Sequence, residues 1–193
     1  LKSGDSLESI LNHLKLKDKN YLSRFSLDRL LDLFIKICDA VSYAHSKNII
    51  HLDLKPDNIQ IGQYGEVVVC DWGLARVTGE LLSDDIRRAL LDADLLLVEK
   101  DNTIKGTPGY MSPEQISAGE ITKLSDVYGL GAILYSLLTL ETTVTGSPSS
   151  VLEQAQLGNI ANPSDLVAGI PSGLEAIAMK CLELKPSNRY HSV

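Results

Sequence analysis

The sequence predicts a mainly α-helical domain with one short β-hairpin near its middle. Three observations predict it. Leu27, Leu30, Leu31, Phe34, Ile37, Cys38, Val41 and Ala44 recur at three and four positions, the period of a helix with one buried face. Lys123 to Thr139 is almost wholly apolar after Asp126, as a helix enclosed on all sides would be. Between them, two short candidate strands at 59–61 and 66–70 flank Gly62-Gln63-Tyr64-Gly65. Two glycines in so short a connection suit a hairpin.

The remaining elements follow in order. Residues 5–16 place Leu7, Ile10, Leu11 and Leu14 at helical spacing. Ser26 is a candidate cap for the helix that begins at Leu27, and Asn48 ends that helix. Ser83 starts a second capped pattern, with Ile86, Leu90, Ala93 and Leu97 on one face of a helix over 83–98. That helix is expected inside the irregular stretch 78–102, since a structureless loop of that length is unusual in a compact domain. Pro113 suits the first position of a helical turn running to Ala118. Helices over 149–157 and 172–183 complete the chain, with Pro186 stopping the last.

The 193 residues are one domain's worth, with 44% hydrophobic and 22% charged content, an ordinary globular balance. A net charge of −7 argues against nucleic acid or an anionic membrane as the main partner. Cys38, Cys70 and Cys181 are odd in number and widely spaced, which makes neither a zinc signature nor a disulfide framework. A reducing, cytoplasmic setting is the expectation. The apolar runs fall far short of a membrane span.

The chemistry concentrates in His51-Leu52-Asp53-Leu54-Lys55-Pro56-Asp57-Asn58 and in Asp71-Trp72-Gly73, which follows the apolar run Val67-Val68-Val69-Cys70. The spacing suits a loop, a hairpin and a second loop meeting at one point. Two hard oxygen ligands and a hydroxyl-activating carboxylate would converge there. Alone, Asp53 would read as a solvated loop aspartate, Lys55 as a surface lysine and Asp71 as a turn residue.

Together these runs resemble the catalytic and metal-binding loops of eukaryotic-like (Hanks-type) serine/threonine protein kinases, with Trp72 where most members have Phe. Gly106-Thr107-Pro108-Gly109-Tyr110-Met111-Ser112-Pro113-Glu114 resembles the substrate-docking loop and Ala-Pro-Glu motif, with Ser112 for Ala. Asp126-Val127-Tyr128-Gly129-Leu130-Gly131 is similar to the start of the family's buried central helix. Arg189 stands where the family has the arginine that pairs with the motif's glutamate, here Glu114. The Tyr-Met-Ser-Pro-Glu-Gln run resembles the bacterial branch.

The resemblance implies a role for each matching residue. Asp53 would be the catalytic base, Lys55 would neutralise charge on the transferring phosphoryl group, and Thr107 would sit beside both. Lys55 with Thr107 favours serine/threonine over tyrosine substrates. Asn58 and Asp71 would bind Mg²⁺ or Mn²⁺ with ATP, and Gln60 would floor the adenine pocket. His51, Trp72, Gly73, Glu114, Asp126 and Arg189 would be structural. Asp126 would hold the catalytic loop through its backbone, while His13, His45 and His191 read as ordinary helix or surface histidines.

No Gly-x-Gly-x-x-Gly loop or Val-Ala-Ile-Lys-like strand is present, and Leu1 to Leu7 resemble the hinge. The resemblance therefore implies that 1–193 is a large, C-terminal lobe, with the small β lobe absent. Such a lobe alone is expected to be inactive and to self-associate through its uncovered face. The implied function is part of a protein serine/threonine kinase acting on ATP and a protein hydroxyl. The alternative is a pseudokinase, a binding or scaffold module without turnover. Two departures keep it open. Leu52 replaces the arginine that usually precedes the base and receives a phosphate, and Gln60 replaces an apolar residue. With Leu52 in place, phosphorylation at Thr103 is expected to matter little.

Overall fold

The computed structural model describes residues 4–78, 108–146 and 148–193. The helix expected over 83–98, together with Thr103 and Thr107, lies outside the described residues. Elements are numbered here among the described residues.

Strand β1 (Gly4–Ser6) runs directly into helix α1 (Leu7–Lys15). Ser6 caps α1, its Oγ accepting from the Ser9 amide at 3.1 Å, and Leu7, Ile10, Leu11 and Leu14 form the buried face. The helix expected from residue 5 starts later because Asp5 and Ser6 are drawn into a strand opposite Ile61 and Gln60. Helix α2 (Lys19–Arg24) was not expected. It buries none of its residues, so it carries no apolar periodicity to read, and its signal is the Asp18 cap. Helix α3 (Leu27–Ser46) begins at the Ser26 cap, and the chain turns at Asn48, which takes a left-handed φ of 58°.

Strand β2 (Ile49–Ile50) leads into the polar loop and pairs antiparallel with β5 (Arg76–Val77). Strands β3 (Ile59–Gly62) and β4 (Val67–Val69) make the hairpin, with β4 shorter than the run at 66–70. The sheet order is β1-β3-β4, so β3 is the central strand. The hairpin tip is braced by α3. Lys36 Nζ donates to the Gly65 carbonyl at 2.7 Å. Gly65 has φ 83° beneath the Arg29 guanidinium, where a side chain would be both strained and obstructed.

Helix α4 (Pro113–Ile116) carries Pro113 in its first turn, and α5 spans Lys123–Thr139 as expected from its composition. Every residue of α5 from Ser125 onward is buried. Helices α6 (Pro148–Leu157), α7 (Pro163–Leu166) and α8 (Ser172–Cys181) follow. Helix α8 ends two residues short of the expected 183, and Pro186 opens a 3-10 turn (Pro186–Asn188) rather than stopping the helix. Gly131 lets α5 and α8 touch, since a Cβ there would lie 2.4 Å from that of Cys181. The main core gathers Leu7, Ile10, Leu33, Ile37, Ile59 and Ile133 around α5. Among the described residues no helix is long and apolar enough to cross a membrane.

Candidate functional site

The site is built on a loop pinned to the central helix. Asp126, in the first turn of α5, is 1% exposed. Its Oδ2 accepts from the His51 amide at 2.8 Å and its Oδ1 from the Leu52 amide at 2.9 Å. These bonds satisfy a buried carboxylate that would otherwise be costly. They also hold Leu52 at φ 66°, a left-handed conformation that costs a non-glycine residue about 1–3 kcal/mol.

Of the two readings given for His45, helix and surface, the structure bears out the first. His45 is a buried residue of α3, not a surface one, and its Nε2 lies 2.8 Å from Asp126 Oδ2. The signal was available, because His45 follows Val41 by one helical turn on the stripe that α3 buries.

His51 is fully buried and ties the loop at Asp53 to the chain at Cys70. Its Nε2 bonds to the Cys70 carbonyl at 3.0 Å, and Nδ1 accepts from the Asp53 amide at 3.2 Å. A carbonyl can only accept and an amide only donate, so both partners select the neutral Nε2–H tautomer. Burial lowers the His51 pKa, against the opposing pull of Asp126. Trp72 lies against the imidazole, ring centroids 4.4 Å apart, and its indole N–H donates to the Val69 carbonyl at 3.0 Å. The polar handle of the larger ring is thereby satisfied.

Beyond His51 the polar groups converge on Asp53. Lys55 Nζ is 2.9 Å from Asp53 Oδ2. Asn58 Nδ2 donates to Asp53 Oδ2 at 2.9 Å and to the Asp53 carbonyl at 2.8 Å. The Asn58 amide nitrogen is thus used within the loop, which leaves its Oδ1 as the oxygen free to meet a cation. The Cys70 amide donates to the Asn58 carbonyl at 2.8 Å, extending the β3–β4 ladder by one step. That pairing brings Asp71 beside Asn58. Asp71 is exposed, has φ 56°, and accepts from the Gly73 amide at 3.4 Å.

Gln60 lies half-buried in the middle of β3, opposite Ser6 and Val68. No cluster of three His, Cys, Asp or Glu side chains suited to a metal occurs among the described residues. The donors at the site are one amide oxygen and one carboxylate. That set fits a small hard cation that keeps most of its waters or takes phosphate oxygens.

A second buried carboxylate stabilises the far side of the loop. Arg189 Nη1 and Nη2 bond to the two oxygens of Glu114 at 2.7 and 2.9 Å. The remaining Arg189 donors reach the carbonyls of Glu183, Leu124 and Leu184 at 2.8, 2.9 and 3.1 Å, so all five N–H groups are used. Ser125 Oγ adds a bond to Glu114 at 2.8 Å. Burial pushes the Glu114 carboxyl up, but the hydrogen bonds and charge of Arg189 outweigh it and leave the pKa lowered. The pair is more enclosed than the sequence suggested, with none of the Arg189 side chain exposed.

Comparison with known proteins places this geometry in a family. The family model described as "Protein kinase domain" matches residues 3–192. A serine/threonine-protein kinase PknD from Protochlamydia amoebophila is 38% identical over 202 residues, covering 98% of this chain and 20% of that protein. Proteins of the same name from Chlamydia abortus and Chlamydia trachomatis are 34% and 36% identical, each over 98% of the chain and 21% of their own length. The chain therefore spans about a fifth of the length of the curated relatives it matches. With the loop, the hairpin and the buried Glu114–Arg189 pair in place, the chain belongs to the protein kinase family, in the bacterial serine/threonine branch that these relatives represent.

Proposed function

We propose that the chain forms the catalytic-loop side of an enzyme that transfers the γ-phosphoryl group of ATP to a protein serine or threonine hydroxyl. The observation that carries this reading is the convergence on Asp53. Its carboxylate is held at 2.9 Å by both Lys55 and Asn58, and Asp71 follows Cys70, whose amide bonds to the Asn58 carbonyl. Asp53 orients the incoming hydroxyl and accepts its proton, a positioning role suited to a loose phosphoryl-transfer transition state. Lys55 offsets negative charge near the transferring group. Asn58 Oδ1 and the Asp71 carboxylate would hold Mg²⁺, or Mn²⁺, which supplies charge neutralisation of the ATP phosphates. Gln60, on β3, would meet the nucleobase.

The sequence carries no glycine-rich loop and no strand lysine. Transfer is therefore assigned to a parent protein that supplies them, in a cytoplasmic setting, and residues 1–193 alone are expected to transfer nothing. The test is an ATP assay on the full-length parent with serine and threonine peptides. Mg²⁺-dependent transfer is expected, falling to below about one-thousandth in Asp71→Asn.

The second reading, a pseudokinase scaffold, draws on Leu52. This residue is a buried leucine where the resemblance expects an arginine. Nucleotide binding without transfer by the wild-type parent would favour it.

A further inference from the structure

We propose that Gln115 is a positioning residue that couples the Ser112–Glu114 motif directly to the peptide group in front of Asp53. The inference rests on the kinase reading for its consequence in catalysis, but not for its geometry. Gln115 is a half-buried residue of α4. Its Oε1 accepts from the Ser112 amide at 3.1 Å and from Ser112 Oγ at 3.0 Å. Its Nε2 donates to the Leu52 carbonyl at 2.7 Å. The amide orientation is fixed by its partners, because Ser112 N–H can only donate and Leu52 C=O can only accept.

The Leu52–Asp53 peptide plane is then held on both edges. Its carbonyl is bound by Gln115, and its N–H, that of Asp53, is bound by His51 Nδ1 at 3.2 Å. The preceding plane is held by Asp126 through the Leu52 amide. Leu52 has a left-handed φ, a strained conformation, and the orientation of the Leu52–Asp53 plane sets its ψ and the φ of Asp53. Gln115 holds that plane from the carbonyl side. Leu52 offers an apolar side chain, buried to 8% exposure, and cannot receive a phosphate. Its backbone carbonyl receives Gln115 instead, which links α4 to the loop without a charged intermediary.

Two substitutions separate coupling from capping. Gln115→Glu keeps an oxygen for Ser112 and is itself a favoured third residue of a capping box, but it removes the donor to Leu52. Gln115→Met removes both. Amide hydrogen exchange is measured on residues 1–193, and steady-state kinetics with Mg-ATP on the full-length parent. Both variants are expected to speed Asp53 amide exchange about tenfold with the amides of α5 unchanged. In the parent, kcat should drop about tenfold with the KM for ATP within about twofold. Gln115→Met alone should also lower the melting temperature. Wild-type Asp53 exchange and kcat in Gln115→Glu would overturn the proposal and leave Gln115 as a helix cap. A wild-type parent without any transfer would defeat the kinase reading, while the exchange measurement still decides the role of Gln115.

Discussion

The two carboxylates buried among the described residues, Asp126 and Glu114, are satisfied in opposite ways. Asp126 takes its bonds from backbone amides of the loop and from His45. Glu114 takes its bonds from a guanidinium and a hydroxyl. The first spends its acceptors on the shape of the loop that carries Asp53. The second spends them on another charged side chain, which in turn ties up the carbonyls of Glu183 and Leu184 near the end of the chain and of Leu124 in the first turn of α5. A carboxylate bound to backbone sets geometry, whereas one bound to a cation sets stability.

Breaking the ion pair should give the largest stability effect. Arg189→Leu leaves Glu114 buried and unpaired, and is expected to destabilise the chain by about 3–5 kcal/mol in urea unfolding. In the parent, kcat per folded molecule should stay within a few-fold of wild type. Asp126→Asn should invert that pattern. Its amide can no longer accept at both positions, so one loop amide is left unmet at about 1–3 kcal/mol. The kcat loss should exceed that of Arg189→Leu by at least about tenfold. Equal kinetic losses in the two variants would erase the distinction.

Acid sharpens the comparison. The folded pKa of Glu114 is lowered, so its contribution is present above the unfolded carboxyl value of about 4.5 and is lost as pH falls through the folded value. The folded pKa of His51 is lowered as well, with burial the main cause. Its stabilising contribution is therefore complete above about 6.5 and declines as pH falls below that. Unfolding free energy should fall in two steps on acidification, one beginning below about pH 6.5 and the other below about pH 4.5. His51→Gln should remove the upper step and Glu114→Gln the lower one.

The smallest expected effect is at the indole. Trp72→Phe loses the bond to the Val69 carbonyl and should cost about 0.5–1.5 kcal/mol, with the His51 contact preserved. A loss above about 3 kcal/mol would show that the ring itself carries the packing.

The legible parts of this molecule were those written in side-chain pattern. α3 shows its period and its Ser26 cap, and α5 its continuous apolar run, so both were readable. β1, β2 and β5 are strands of two or three residues whose existence depends on a partner far along the chain, and no local pattern announces them. α2 buries nothing and was silent for that reason. At the site, spacing and resemblance single out Asp53, Lys55, Asn58 and Asp71; the first three bond to one another, and Asp71 follows the residue that pairs with Asn58. The bonds of His45 to Asp126 and of Gln115 to Leu52 carry no local signature. They join groups 81 and 63 residues apart, contacts that only the folded chain reveals.

The central claim is that Asp53 is the group on which transfer depends. It is tested most directly by comparing nucleotide binding with turnover in the full-length parent carrying Asp53→Asn. Asp53 bonds to Lys55 and Asn58, and the substitution leaves the proposed cation ligands, Asn58 and Asp71, in place. Mg-ATP affinity should therefore stay within about threefold of wild type, while transfer to a serine or threonine peptide falls below about one-thousandth. Transfer by Asp53→Asn at the wild-type rate would contradict the account.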